Sequence, residues 1–249
     1  MTATSDPIQP AADAGDGVAA RLLASRSGRI LPATCAGLPP EPALLRGGRL
    51  RARWFAVVTA GEFLGFCIPA TVAALTAPAP AILALAAVLA AGGAEGTLLG
   101  LAQASVLRRA LPPVSTRRWV AATASAAVVA YAIGMLPSTL AGRLSGLPTV
   151  VLIGAAVVLG AALLLSIGVA QWLVLRAVLP RSASWIATTA AAWSAGLPVF
   201  LGFAMPLWQP GQSIPVIVAI GAAGGLLMAA TTSAVTGFGL SRLLDRSAP

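Results

Sequence analysis

Gly168-Val169-Ala170-Gln171-Trp172-Leu173-Val174-Leu175-Arg176 closes one long apolar stretch, and Trp185 opens the next. The same pattern stands earlier as Gly100-Leu101-Ala102-Gln103-Ala104-Ser105-Val106-Leu107-Arg108, followed by Trp119. A worn copy ends the chain as Gly237-Phe238-Gly239-Leu240-Ser241-Arg242-Leu243-Leu244-Asp245. Trp54, Trp119 and Trp185 each begin an apolar stretch and lie 65 and 66 residues apart. Self-similarity at a fixed period is the signature of a tandem architecture. The expectation is three helical hairpins, over 54–108, 119–176 and 185–245.

Composition sets the environment of those hairpins. Hydrophobic residues make up 58% of the 249 and charged ones 9%, and mean hydropathy is +0.90. Such a balance belongs to integral membrane proteins. A membrane-crossing helix needs about 20 mostly apolar residues. Six stretches qualify: 54–76, 81–107, 119–141, 149–175, 185–207 and 215–241. The fold expected is therefore all-α and integral to the membrane, with six transmembrane helices in residues 51–246.

The net charge of +9 is explained by orientation and does not point to nucleic acid. All sixteen basic residues are Arg, and cytoplasmic flanks of membrane helices collect Arg and Lys. Arg46, Arg49, Arg51 and Arg53 precede the first stretch, and Arg108, Arg109, Arg117 and Arg118 join the second to the third. Arg176 and Arg181 join the fourth to the fifth, and Arg242 and Arg246 follow the sixth. Within the hairpins only Arg143 falls on the other side. Both termini are expected in the cytoplasm of a bacterial cell, in its plasma membrane. The bias towards Ala, Gly, Pro and Arg is that of a GC-rich genome.

Residues 1–50 read as a cytoplasmic tail, disordered or lying on the membrane surface. They lack the apolar core of a secretion signal. Val18, Leu22 and Leu23 among Arg21, Arg26 and Arg29 outline a weak amphipathic pattern. Pro32-Ala33-Thr34-Cys35 is a poor lipoprotein box without an apolar region before it. Cys67 lies in the first apolar stretch, apart from Cys35, so no disulfide is expected.

The connections between helices are too short for a soluble catalytic domain, which needs at least about 50 residues. Chemistry must then lie in the helices or at their ends. The chain has no Lys and no His, which excludes a Schiff-base lysine, a histidine-ligated haem and a Ser–His dyad. Two cysteines cannot build a zinc or iron–sulfur site, no span carries Asp, and no phosphate-binding Gly-x-x-x-x-Gly-Lys loop occurs. The expectation is a protein that is not an enzyme and holds no metal or cofactor.

Two acids remain within the spans, Glu62 and Glu95. Measured from Arg53 and Arg108 at ~1.5 Å per residue, they lie roughly 13 and 20 Å deep in a core about 30 Å thick. An intramembrane acid is costly and marks an ion or proton pathway by default. The bland reading is that each acid is bonded to a hydroxyl or amide and fixes helix packing. The repeat equates Glu62 with Ala127 and Trp193, and Glu95 with Leu163 and Thr232. Acidity is thus confined to the first hairpin, as for a site grafted on a symmetric scaffold.

Gln103 and Gln171 sit about 7.5 Å inside the arginine ring. They read as helix glue, cross-bonded between helices, or with Arg108 and Arg176 as a polar inner vestibule or an anionic-lipid site. Small residues four apart, Gly61/Gly65, Gly92/Gly96/Gly100 and Gly221/Gly225, mark close helix contacts. Pro69, Pro137 and Pro198 sit in the outer halves of the odd helices and suit either a central cavity or a tapered solid bundle.

The Gly-x-Ala-Gln-x-x-Val-Leu-Arg motif with its following Trp resembles a signature of uncharacterised bacterial multi-pass membrane proteins. The likeness covers roughly residues 54–246 and implies the architecture without an activity. The chain departs from it at Leu240 and Asp245, and carries Glu62 where such helices often have Trp. Three hairpins are shared also with mitochondrial-type carriers, whose Pro-x-acid-x-x-base motif is absent. The functional expectation is a small permease or channel with Glu62 and Glu95 as a proton or cation site. The alternative is a non-catalytic subunit or scaffold of a larger membrane complex. The expected partners are the bilayer, anionic lipid at the inner arginines, and a second copy or a membrane complex.

Overall fold

The computed structural model describes residues 44–247. The expectations for the leader, including its amphipathic pattern and the box at Cys35, fall within residues 1–43 and lie outside the described residues. Six long helices follow: α1 (Gly47–Thr76), α2 (Ala81–Ala110), α3 (Thr116–Thr139), α4 (Thr149–Leu175), α5 (Ser184–Leu207) and α6 (Ile214–Asp245). All six are long and apolar enough to cross a membrane, and no strand occurs among the described residues. A single helical turn, Ala141–Leu144, lies between α3 and α4. The first helix begins at Gly47 and already buries Leu50, upstream of the boundary expected at residue 51.

Each helix packs against its neighbours in sequence, and α6 returns to pack against α1, so the six close into a ring. Glycine sets how near several of these neighbours come. A Cβ on Gly96 of α2 would stand 2.6 Å from Ala127 Cβ and 2.8 Å from the Ala124 backbone of α3. One on Gly225 of α6 would stand 2.6 Å from the Phe66 ring of α1. Gly221 was expected to join Gly225 in such a contact, but a Cβ there would meet nothing within 4 Å. It lies a turn nearer the helix start, where α6 is less embedded.

Packing is tightest at the end of the ring that carries most of the arginines. The core there joins Leu50, Trp54 and Val58 of α1 to Val106 and Leu107 of α2, Leu175 of α4, and Leu240, Leu243 and Leu244 of α6. Trp119 and Trp185 complete it. All three of these tryptophans turn inward and are almost wholly buried. The Trp185 ring meets Trp54 edge-on at 6.1 Å between centroids and Trp119 at 6.1 Å in a tilted contact. Aromatic pairs favour this offset geometry, and burial is tolerated because each indole N–H finds an acceptor inside the ring.

Towards the other end the helices cover one another less. The first half of α4 exposes Val150, Ile153, Val157 and Val158, an apolar face suited to lipid. The helices run on through Pro69, Pro137 and Pro198. Pro69 is buried, whereas Pro137 and Pro198 are exposed, so the prolines do not converge on the axis.

Candidate functional site

Three side-chain layers follow one another from the arginine end towards the middle of the ring. The first is a polar network around the tryptophans. Trp119 Nε1 donates to Gln103 Oε1 (3.1 Å) and Trp185 Nε1 to Gln171 Oε1 (2.9 Å). Gln171 Nε2 in turn donates to Gln103 Oε1 (2.7 Å) and Thr123 Oγ1 (2.9 Å). One amide pair therefore ties α2, α3, α4 and α5 together. Leu240 stands where the motif has Gln in its other copies, and Trp54 Nε1 donates to Thr236 Oγ1 of α6 at 2.9 Å. Gln103 and Gln171 act as helix glue in this geometry. Arg108 and Arg176 do not join them: both are exposed, and the Arg176 guanidinium lies over Trp172 at 5.0 Å. The polar vestibule is thus not formed by these four groups, because the arginines at the helix ends turn outward while the amides turn in.

Three threonines follow the tryptophans, but they do not behave alike. Thr123 and Thr189 lie four residues after Trp119 and Trp185, and their hydroxyls donate back to the tryptophan carbonyls, both at 2.9 Å. Thr59 lies five residues after Trp54, out of register for that bond, and its Oγ1 has no partner among the described residues.

The second layer holds Glu62. It is 2% exposed, and Thr232 Oγ1 of α6 lies 2.8 and 2.7 Å from its two oxygens. The same Oγ1 lies 3.1 Å from the carbonyls of Met228 and Ala229. A hydroxyl has one proton to give. Both sets of contacts are satisfied when Glu62 carries a proton, donates it to Oγ1, and Oγ1 donates to a carbonyl. The seam between α1 and α6 can therefore accommodate a protonated acid with no further partner.

Glu95 faces the third layer. Tyr131 Oη of α3 donates to its Oε2 at 2.5 Å. The glutamate lies across Gly65 of α1, where a Cβ would stand 3.2 Å from Glu95 Cγ. Gly65 is three residues beyond Glu62, so the two acids border the same helix seam. They do not share a hydrogen bond among the described residues, since Glu62 turns to α6 and Glu95 to α3. The two acids thus form two separate acid–hydroxyl pairs.

Glu95 lines a partly open cavity of about 310 Å³. All six helices contribute: Phe66, Glu95 with Leu99, Ala127 with Tyr131, Leu163 with Ile167, Trp193 with Phe200, and Met228. Four of the six positions that the repeat equates therefore meet here, Glu95, Ala127, Leu163 and Trp193. The other two, Glu62 and Thr232, bond to each other beside it. Glu62 itself is not on the cavity wall.

Sequence reading missed Tyr131 and the role of Thr232. Tyr131 is the chain's single tyrosine and lies one turn beyond Ala127, the counterpart of Glu62, which is the signal that could have found it. Trp193, a repeat counterpart of Glu62, packs on the buried core and also lines the cavity. No cluster of three or more His, Cys, Asp or Glu that could hold a metal occurs among the described residues. Comparison with protein families, with curated proteins and with solved structures finds no match to this chain.

Proposed function

We propose that the chain is a small permease or channel of a bacterial plasma membrane, with Glu95 as its proton or cation site. It is built as three tandem hairpins with both ends in the cytoplasm. The observation that carries this reading is an ionisable side chain, Glu95, on the wall of a cavity to which all six helices contribute. A carboxyl in such a place can release a proton and regain it, or balance the charge of a passing cation. Tyr131 orients it through one hydrogen bond and leaves the second carboxyl oxygen free of a described partner. Glu62 and Thr232, sealed beside it, form a neighbouring place where a proton can rest.

The tryptophan–glutamine layer separates the cavity from the arginine end. Opening a path through it requires exchange of the bonds that Gln171 makes, an event of the kind that gates transport. The test is flux in liposomes containing the purified full chain, read with a pH-sensitive dye under an imposed potential. The wild-type chain should move protons or cations, and Glu95→Gln should reduce the rate at least about tenfold. Equal flux in both would remove Glu95 from the pathway. Absence of flux in the wild-type chain would favour an accessory subunit instead.

A further inference from the structure

The cavity wall narrows what Glu95 can hold. Apart from the Glu95 carboxyl and the Tyr131 hydroxyl, the side chains that face it offer carbon, the Met135 and Met228 sulfurs and one indole. A bare inorganic cation needs oxygen ligands to replace its water, six to eight for a calcium ion. Two oxygen-bearing side chains cannot supply them, and apolar walls do not repay lost hydration. A volume of about 310 Å³ is also far larger than such an ion requires. It falls at the small end of the roughly 300–1,000 Å³ of small-molecule pockets.

An organic cation meets the opposite balance. Its charge is spread over alkyl or aryl groups that carbon walls solvate well. Its positive surface is attracted to aromatic faces, and Phe66, Trp193 and Phe200 are all in the lining. Phe66 and Phe200 meet edge to face at 5.4 Å between centroids, which fixes the two rings against each other. Mostly apolar lining with a few convergent polar groups is the general form of a small-molecule site. Among the lining residues Glu95 is the one carboxylic acid, and none is basic.

The geometry points to a binding site for a monovalent lipophilic organic cation of about single-ring size, such as an aryl or alkyl quaternary ammonium. Its charge lies against Glu95 and its hydrocarbon part among Phe66, Trp193 and Phe200. This deepens, and rests on, the reading of Glu95 as the site of a permease. No covalent step is involved: the cation balances the carboxylate, and any proton on Glu95 leaves to water.

The test uses the full chain in nanodiscs of phosphatidylglycerol, whose headgroup carries no ammonium, and radiolabelled phenyltrimethylammonium as the probe. The wild-type chain should bind it saturably, one per chain. Glu95→Gln keeps the size of the side chain and an acceptor for Tyr131, and should weaken binding at least about tenfold. Trp193→Leu keeps the charge and should weaken it about two- to fivefold. Gel filtration of each variant verifies that the fold is intact. No saturable binding by the wild-type chain, or equal binding by Glu95→Gln, overturns the proposal. Proton flux in liposomes separates its failure from that of the permease reading. Flux that depends on Glu95 without cation binding leaves the permease and removes this ligand class. Binding that depends on Glu95 without flux keeps the site and removes the permease.

Discussion

The Gln171 side chain bonds to three other helices. It donates to Gln103 and Thr123 and accepts from Trp185, so its removal breaks bonds to α2, α3 and α5 at once and orphans the Trp185 indole N–H. Interhelical hydrogen bonds in membranes average roughly 0.6 kcal/mol, and buried orphans add to that. Gln171→Leu should therefore cost about 2 kcal/mol, seen as a lower thermal midpoint in detergent, while Gln171→Glu should cost less because Trp185 keeps its acceptor. Equal midpoints for Gln171→Leu and the wild-type chain would contradict the bonded network. The Glu62–Thr232 contact gives a second comparison. Glu62→Gln can still bond Thr232, whereas Thr232→Val leaves a buried carboxyl without its hydroxyl. Thr232→Val should be the more destabilising of the two, by about 1–3 kcal/mol; the reverse order would mean that the acid is held by something else.

At the scale of the helix, spacing decides which contacts form. Gly96 stands against the Ala124 backbone and Ala127 Cβ of α3, neither of which can swing away. Gly96→Ala should cost about 1–3 kcal/mol by overpacking and disturb the cavity beside it. Gly202→Ala meets nothing within 4 Å and should leave thermal stability unchanged. A neutral Gly96→Ala would show that α2 and α3 lie farther apart. The existence of six helices was legible from length and hydropathy, because each apolar stretch is longer as a helix than the ~30 Å hydrocarbon core of a bilayer. The small-residue contacts at Gly61, Gly65 and Gly96 were legible for the same local reason. The direction of the tryptophans was not. Indole is equally at home at an interface and in a core with an acceptor, and the acceptor arrives from another helix. The partner of Glu62 was hidden too, since Thr232 lies 170 residues away and only closure of the ring by α6 against α1 brings it near.

For the whole molecule, the distribution of arginine predicts both ends on one side of the membrane. A reporter active only in the cytoplasm should work when fused after Pro249 and fail when inserted at Gly146. Activity at Gly146 would invert the orientation proposed here. The ring as a whole combines a tight floor of tryptophan and glutamine with a cavity above it, and Glu95 is the acid on the wall of that cavity. The decisive difference between its two acids is access: Glu95 lines open space, and Glu62 is sealed against α6. Dicyclohexylcarbodiimide reads that difference, because it enters apolar sites and adds covalently to a protonated carboxyl, taking up its proton. With the full chain in membranes, peptide mass spectrometry should find one adduct, at Glu95 and not at Glu62, slowed by phenyltrimethylammonium and abolished in Glu95→Gln. An adduct at Glu62 with Glu95 untouched, or no adduct within the helices, would contradict an acid that opens onto the cavity.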